Sequence, residues 1–144
     1  MRVVIDANVL IAALTRPGGS AARVVKAWRE GRLEVVSSSA TLREAELVLS
    51  GAWLARLSSR HDVETLLEEL RTRTVQAEGR AAPNIRLKDQ GDLRLVEAAV
   101  AGGAGYLVTA DRELLLQRGY ESTEFVTPGE LLKAMDGGGA AKDE

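Results

Sequence analysis

The sequence predicts an α/β fold, a mostly parallel sheet of about five strands with helices on both faces. Two observations predict it. Short β-branched runs alternate with stretches of helical periodicity along the chain. Strands alternating with helices imply right-handed crossovers and parallel pairing. The length, 144 residues with 45% hydrophobic, also suits one domain whose core needs no covalent staple. In such sheets the functional site lies beyond the carboxyl ends of the strands, near the switch point.

The elements follow in order. Arg2-Val3-Val4-Ile5-Asp6 reads as a buried N-terminal strand. Asn8 is expected to cap a helix through Leu14, broken by Pro17-Gly18-Gly19. Ser20 is expected to cap the next helix, with Ala21, Val24, Val25 and Trp28 on its apolar face. Gly31 ends it, and Leu33 to Val36 forms the second strand. Helical periodicity returns over Thr41 to Leu49, Trp53 to Leu57 and Val63 to Arg73. Thr74 to Ala77 is a weak third strand, and residues 79–91 read as a loop. Leu93 to Val100 is helical and ends at Gly102-Gly103. Tyr106 to Thr109 is the fourth strand, Leu114 to Gln117 a short helix, and Phe125-Val126 the fifth strand. Thr127-Pro128 opens a last helix through Met135. The domain is thus expected over residues 1–135, with residues 136–144 (DGGGAAKDE) as a disordered tail.

Composition narrows the chemistry. There is one histidine, His61, and no cysteine. A disulfide framework, a Cys/His zinc site and a cysteine nucleophile are excluded. His61 lies far in sequence from any acid motif and reads as a surface residue. Carboxylates, hydroxyls, Arg and Lys must therefore do the work. No apolar run approaches the ~18 residues of a membrane span, and Asp6 arrives too early for a signal peptide. A cytoplasmic protein is expected. The net charge of −2 does not advertise nucleic acid, but 15 of the 19 basic residues are Arg, which suits phosphate recognition.

Four acids stand where this fold would gather them. Asp6 closes the first strand, Asp111 follows the fourth, and Glu44 and Asp92 lie near helix starts. Clustered hard oxygens are what Mg²⁺ or Mn²⁺ requires. Two carboxylates about 4 Å apart repel by roughly 4 kcal/mol at an effective dielectric of ~20. Such a cluster needs cations between its members, or protons on some of them. Taken singly, three of the acids also read as helix caps: Asp92 before LRLVEAAV, Asp111 before RELLL, and Glu44 in a Thr41-x-x-Glu44 capping box. Asp6 resists that reading, because Asn8 is the better cap and a charge at that depth needs a partner.

DANVLIAAL (residues 6–14), the Glu44 helix, DLRLVEAAVAGGAGYLVTADRELL (92–115) and TPGELLKAM (127–135) together resemble PIN-domain proteins. The resemblance runs from residue 2 to about 135 and is strongest to the toxin branch, similar to VapC-type ribonuclease toxins. It implies a three-layer α/β/α sandwich, a carboxylate-bound Mg²⁺ or Mn²⁺, and hydrolysis of single-stranded RNA. It places the family's acids on Asp6, Glu44, Asp92 and Asp111, with Asn8 and Thr109 supporting them. The branch usually carries a dense acidic run where this chain has Asp89-Gln90-Gly91-Asp92. Asp92 alone is then in register, Asp89 becomes an outer ligand, and a second metal is in doubt. The resemblance also implies an antitoxin partner covering the acidic groove, and a homodimer.

Substrate grip falls to Arg and hydroxyl groups. Residues 47–61 contain no acid and carry Trp53, Arg56 and Arg60. Arg56 and Arg60 are candidate RNA contacts. Trp53, Leu54 and Leu57 have helical packing spacing and read as a core or dimer face. Rival chemistries lack their signatures. Residue 8 is Asn, so the D-x-D of a dehalogenase-like phosphatase is absent. Leu33 to Ser39 offers no Asp for a receiver-like phosphoacceptor, and no phosphate-binding Gly motif occurs. The alternative to a nuclease is a catalytically inert PIN-like binding module.

Overall fold

The computed structural model describes residues 1–78, 80–82 and 84–143, with side chains to residue 137. Its strands are β1 (Arg2–Ile5), β2 (Glu34–Ser37), β3 (Val75–Gln76), β4 (Tyr106–Val108), β5 (Gly119–Tyr120) and β6 (Thr123–Val126). The helices are α1 (Ala7–Thr15), α2 (Ser20–Arg29), α3 (Ser39–Leu49), α4 (Arg60–Thr72), α5 (Gln90–Gly102), α6 (Arg112–Gln117) and α7 (Pro128–Asp143). A 3₁₀ turn over Ala52–Arg56 joins α3 to α4.

The sheet order is β3-β2-β1-β4-β6-β5. Every pairing is parallel except β5 with β6. The sixth strand, beyond the five expected, is β5, a two-residue partner that makes a hairpin with β6. It is too short to give a periodic sequence signal. The chain crosses from β1 to β2 and β3 on one side, then returns to β4 and β6 on the other. The switch point therefore lies between β1 and β4.

Strand alternation splits the core into two layers. Val3 and Ile5 of β1 face one way and pack with Leu10, Val24, Trp28, Leu66 and Leu131 from the helices of that side. Val4 faces the other way and packs with Leu95, Val96, Ala99 and Leu114 from α5 and α6. Burying each such side chain contributes roughly 1.5–3 kcal/mol. The result is the three-layer sandwich, with the loops after β1, β2 and β4 at one end.

Helix starts differ from expectation in an instructive way. Asp6, not Asn8, caps α1, accepting a hydrogen bond from the Asn8 backbone N–H. The α3 capping box is Ser38 with Thr41, one turn before the expected Thr41–Glu44 pair, so Glu44 has no capping role. Asp89 caps α5, which leaves Asp92 inside the first turn. Gly19 precedes α2, and Ser20 makes no side-chain cap. Asp111 caps α6 as its sequence context suggested. Helix α7 enters the segment expected to be a disordered tail; from residue 138 onward that expectation falls on side chains outside the described residues.

Of Trp53, Leu54 and Leu57, read as a core or dimer face, only Leu54 joins the core, at 1% exposed. Trp53 is 49% and Leu57 59% exposed. The 3₁₀ turn ends at Arg56, so Leu57 lies past it, and Trp53 stands about a third of a turn from Leu54.

On the α5 layer, Gly102 lies against β2. A Cβ there would collide with Cγ1 of Val36, a fully packed core side chain. Gly102→Ala is expected to destabilise the fold by about 1–3 kcal/mol, the usual cost of overpacking. Urea unfolding should show a lower midpoint with an unchanged m-value.

Candidate functional site

The parallel sheet delivers its acids to one cleft. β1 runs into Asp6, whose N–H donates to Val108 O across the switch point at 2.9 Å. Asp6 is 6% exposed, and its two oxygens have separate partners. Thr109 Oγ1 donates to Oδ2 at 2.8 Å, and the Asn8 N–H donates to Oδ1 at 3.2 Å. Thr109 is wholly buried at the end of β4. Its hydroxyl also accepts from the Asp111 N–H at 2.9 Å. One threonine thus positions an acid on each side of the switch point. Asp111 Oδ1 accepts from the N–H groups of Glu113 and Leu114 at the start of α6. A cap fixes Asp111 here, but its other oxygen takes no part in that cap.

Asp92 enters from α5. Its N–H donates to Asp89 Oδ1 at 3.1 Å, and its side chain turns inward, 7% exposed. Asp92 Oδ2 is buried without a hydrogen-bond partner. A buried acceptor without a partner calls for a physical reason, and in an acidic cleft a bound cation supplies one. Burial, then the charges on Asp111, Asp6 and Asp89, and last a side-chain hydrogen bond with Asp111 push the Asp92 carboxyl up to about 7. Asp6 is also raised, chiefly by burial; its bonds from Thr109 and Asn8 oppose the shift, and Asp111 and Asp89 add to it.

These residues line a cleft of about 290 Å³ that holds Asp6, Glu44, Asp89, Asp92 and Asp111 together. Glu44 reaches it from α3 and is exposed. Asn8 also lines it, though its contact to Asp6 is made by its backbone, not by a supporting side chain. Arg56 and Arg60 do not line it. Arg60 pairs with Glu64 at 2.9 Å on the exposed start of α4. His61 is exposed on the same helix.

Sequence reasoning missed Ser37 and Arg94, which also line the cleft. Ser37 ends β2, a strand-end position that could have flagged it. Arg94 sits one turn after Gln90 on α5, so helical spacing carried the signal once the helix start was known.

A divalent cation suits this donor set, since hard carboxylate oxygens outnumber any other ligand type in the cleft. The unpartnered Asp92 Oδ2 offers it a buried ligand atom. As they stand, no three acids among the described residues are drawn close enough to grip an ion.

The raised Asp92 carboxyl has a consequence for stability. Between its unfolded value near 3.8 and its folded value of about 7, the unfolded chain ionises first. The folded state then binds more protons, so stability falls as pH rises through that window and levels above it. Asp92→Asn removes this loss. In chelator at pH 8 the variant is expected to gain about 1–2 kcal/mol from relieved repulsion, and to show no gain near pH 4. Thermal unfolding across pH checks it.

No curated protein matches the chain significantly. Among solved structures, the chain is similar to one in the crystal structure of VapBC2 from Rickettsia felis bound to a DNA fragment from its promoter. That match has a TM-score of 0.55 and 14% identity, covering 87% of this chain and 97% of the other. At that identity the likeness shows the fold alone. The PIN domain profile matches residues 2–113, from β1 through the Asp111 cap of α6. With most of its length matched, the chain belongs to the PIN-domain family, whose members are generally nucleases.

Proposed function

We propose that the chain is a metal-dependent endoribonuclease that hydrolyses phosphodiester bonds of single-stranded RNA, the toxin of a toxin–antitoxin pair. One observation carries the catalytic reading: Asp92 Oδ2 lies buried, unpartnered and poised near neutrality beside Asp6 and Asp111. Capping does not explain it, since the Asp92 side chain caps no helix.

Asp6, Asp92 and Asp111 would hold Mg²⁺ or Mn²⁺, with Glu44 and Asp89 farther out on the cleft wall. Bound there, the cation would activate water and neutralise charge on the phosphate. The chain's own residues set the stage. Thr109 keeps Asp6 and Asp111 in fixed orientation through one hydroxyl. Asp89 holds the start of α5, so that Asp92 faces inward. Asp92 must lose the proton that burial favours before it can serve as a ligand, so metal affinity rises with pH. No histidine is required, since a carboxylate oxygen can take the proton from water.

The partners belong to the same reading. The likeness to VapBC2 supports an antitoxin, whose segment would cover the acidic cleft. A homodimer would cover Leu47, Trp53 and Leu57, large apolar side chains exposed around the 3₁₀ turn. No helix among the described residues is long and apolar enough to cross a membrane. We place the protein in the cytoplasm, with its RNA.

Two experiments test this reading. Mg²⁺ should raise the melting temperature of the native chain, by about 2.7 kcal/mol of stability at a hundredfold excess over Kd. Asp6→Asn should lose that response, and Asp92→Asn should lose cleavage of single-stranded RNA by at least about 100-fold. A folded native chain that neither responds to Mg²⁺ nor cleaves RNA would be the inert binding module. Separately, Trp53→Ser with Leu57→Ser should turn a dimer into a monomer by sedimentation, with no change in fold.

A further inference from the structure

Thr109 joins Asp6 to Asp111 through one hydroxyl. Asp92 enters the cleft from a different helix, and that hydroxyl does not reach it. Carboxylates gathered in one cleft repel, so the starts of α5 and α6 gain from a direct fastening.

Glu113 is placed to supply it. It stands half-buried in the first turn of α6 and does not line the cleft. Both of its ends are engaged. Its N–H donates to Asp111 Oδ1 at 2.8 Å. Its side-chain Oε1 accepts from the Lys88 N–H at 3.1 Å. Among the described residues its carboxylate takes part in no ion pair.

Lys88 immediately precedes Asp89, the cap of α5. Residues 84–89 belong to no helix or strand, so no ladder of backbone bonds fixes Asp89 from behind. Ile85 anchors that segment in the core, and Glu113 fixes its end. Asp89 Oδ1 then accepts from the Asp92 N–H at 3.1 Å. Gly91 leaves room for that cap, since a Cβ there would stand 2.9 Å from the same oxygen. One line of bonds therefore connects the acids. It runs from Asp6 through Thr109 to Asp111, through Glu113 to Lys88, and along the chain to Asp89 and Asp92.

We propose that Glu113 is a positioning residue for the metal site: its carboxylate holds the Lys88–Asp89 segment against α6 and so sets Asp92 beside Asp111. This rests on the metal-dependent nuclease reading above. Glu113 acts through Asp89 and is not itself a ligand. Groups that orient metal ligands from behind govern metal affinity nearly as strongly as the ligands do.

The test compares Glu113→Ala with Glu113→Gln. Gln keeps an acceptor oxygen for the Lys88 N–H and lacks the charge, whereas Ala lacks both. In the metal-free protein, hydrogen exchange of the Lys88 amide, followed by NMR, should be about tenfold faster in the Ala variant and near native in the Gln variant. Mg²⁺ affinity, read from the rise in melting temperature across a titration, should fall about tenfold in the Ala variant and stay near native in the Gln variant. At saturating Mg²⁺ the Ala variant should cleave single-stranded RNA near the native rate, because no group at the reacting phosphate is missing. Equal losses of Mg²⁺ affinity in the two variants overturn the inference, since charge or direct ligation then accounts for them. So does an Ala variant that binds Mg²⁺ like the native chain, or one whose rate stays low at saturation. In each of these cases a native chain that binds Mg²⁺ and cleaves RNA leaves the nuclease reading standing. A native chain that binds no Mg²⁺ removes that reading, and the inference falls with it.

Discussion

The hydrogen bond from Thr109 Oγ1 to Asp6 Oδ2 joins residues 103 positions apart in the chain. It is short, wholly buried and lies at the sheet's switch point, where β1 and β4 run side by side. The same hydroxyl accepts from the Asp111 N–H, so the start of α6 hangs on it as well. Remove that hydroxyl and Asp6 is a buried carboxylate with one backbone partner. The parallel pairing of β1 with β4 exists to bury Val4, Leu107 and Val108, but its by-product is this junction of two acids.

The cleft runs against the stability of its own scaffold. Asp6 and Asp92 are buried in a region of like charge, and both carboxyls are raised in consequence. Local devices limit the cost. Asp6, Asp89 and Asp111 each accept backbone N–H groups at a helix start, where the helix dipole favours a negative charge. Capping and acid chemistry are therefore not rival explanations for these residues. A cap gives a carboxylate one fixed oxygen and a defined orientation, and Asp111 still lines the cleft. Asp92 is the exception: its side chain caps nothing, and its Oδ2 has no partner.

Much of the fold was legible because the strands alternate with periodic helices and because the β-branched runs are short and well punctuated. Boundaries were less legible. The α3 box shifted by one turn because Ser38 and Thr41 satisfy each other's backbone more directly than Thr41 and Glu44 would. The α5 cap falls on Asp89, whose side chain accepts from the Asp92 N–H, so the helix starts one turn earlier than Asp92. The strand β5 escaped notice, since two residues carry no period. A 3₁₀ turn stands where an α-helix was expected, and Trp53 and Leu57 are exposed beside buried Leu54.

The list of acids was readable from residue types and their places after strands, with His and Cys too scarce to offer another chemistry. Hydrophobic periodicity is local, and it sufficed to order the elements; the resemblance to PIN-domain proteins is what set Asp6, Glu44, Asp92 and Asp111 apart from ordinary helix caps. Distances between remote residues are not local. That Asp92 lies buried without a partner, that Thr109 serves two acids, and that Arg56 and Arg60 stand away from the cleft all follow from packing α5 and β4 against β1. A sequence records which side chains are available. Burial and mutual charge, which set what those side chains can do, arise only when the layers close on each other.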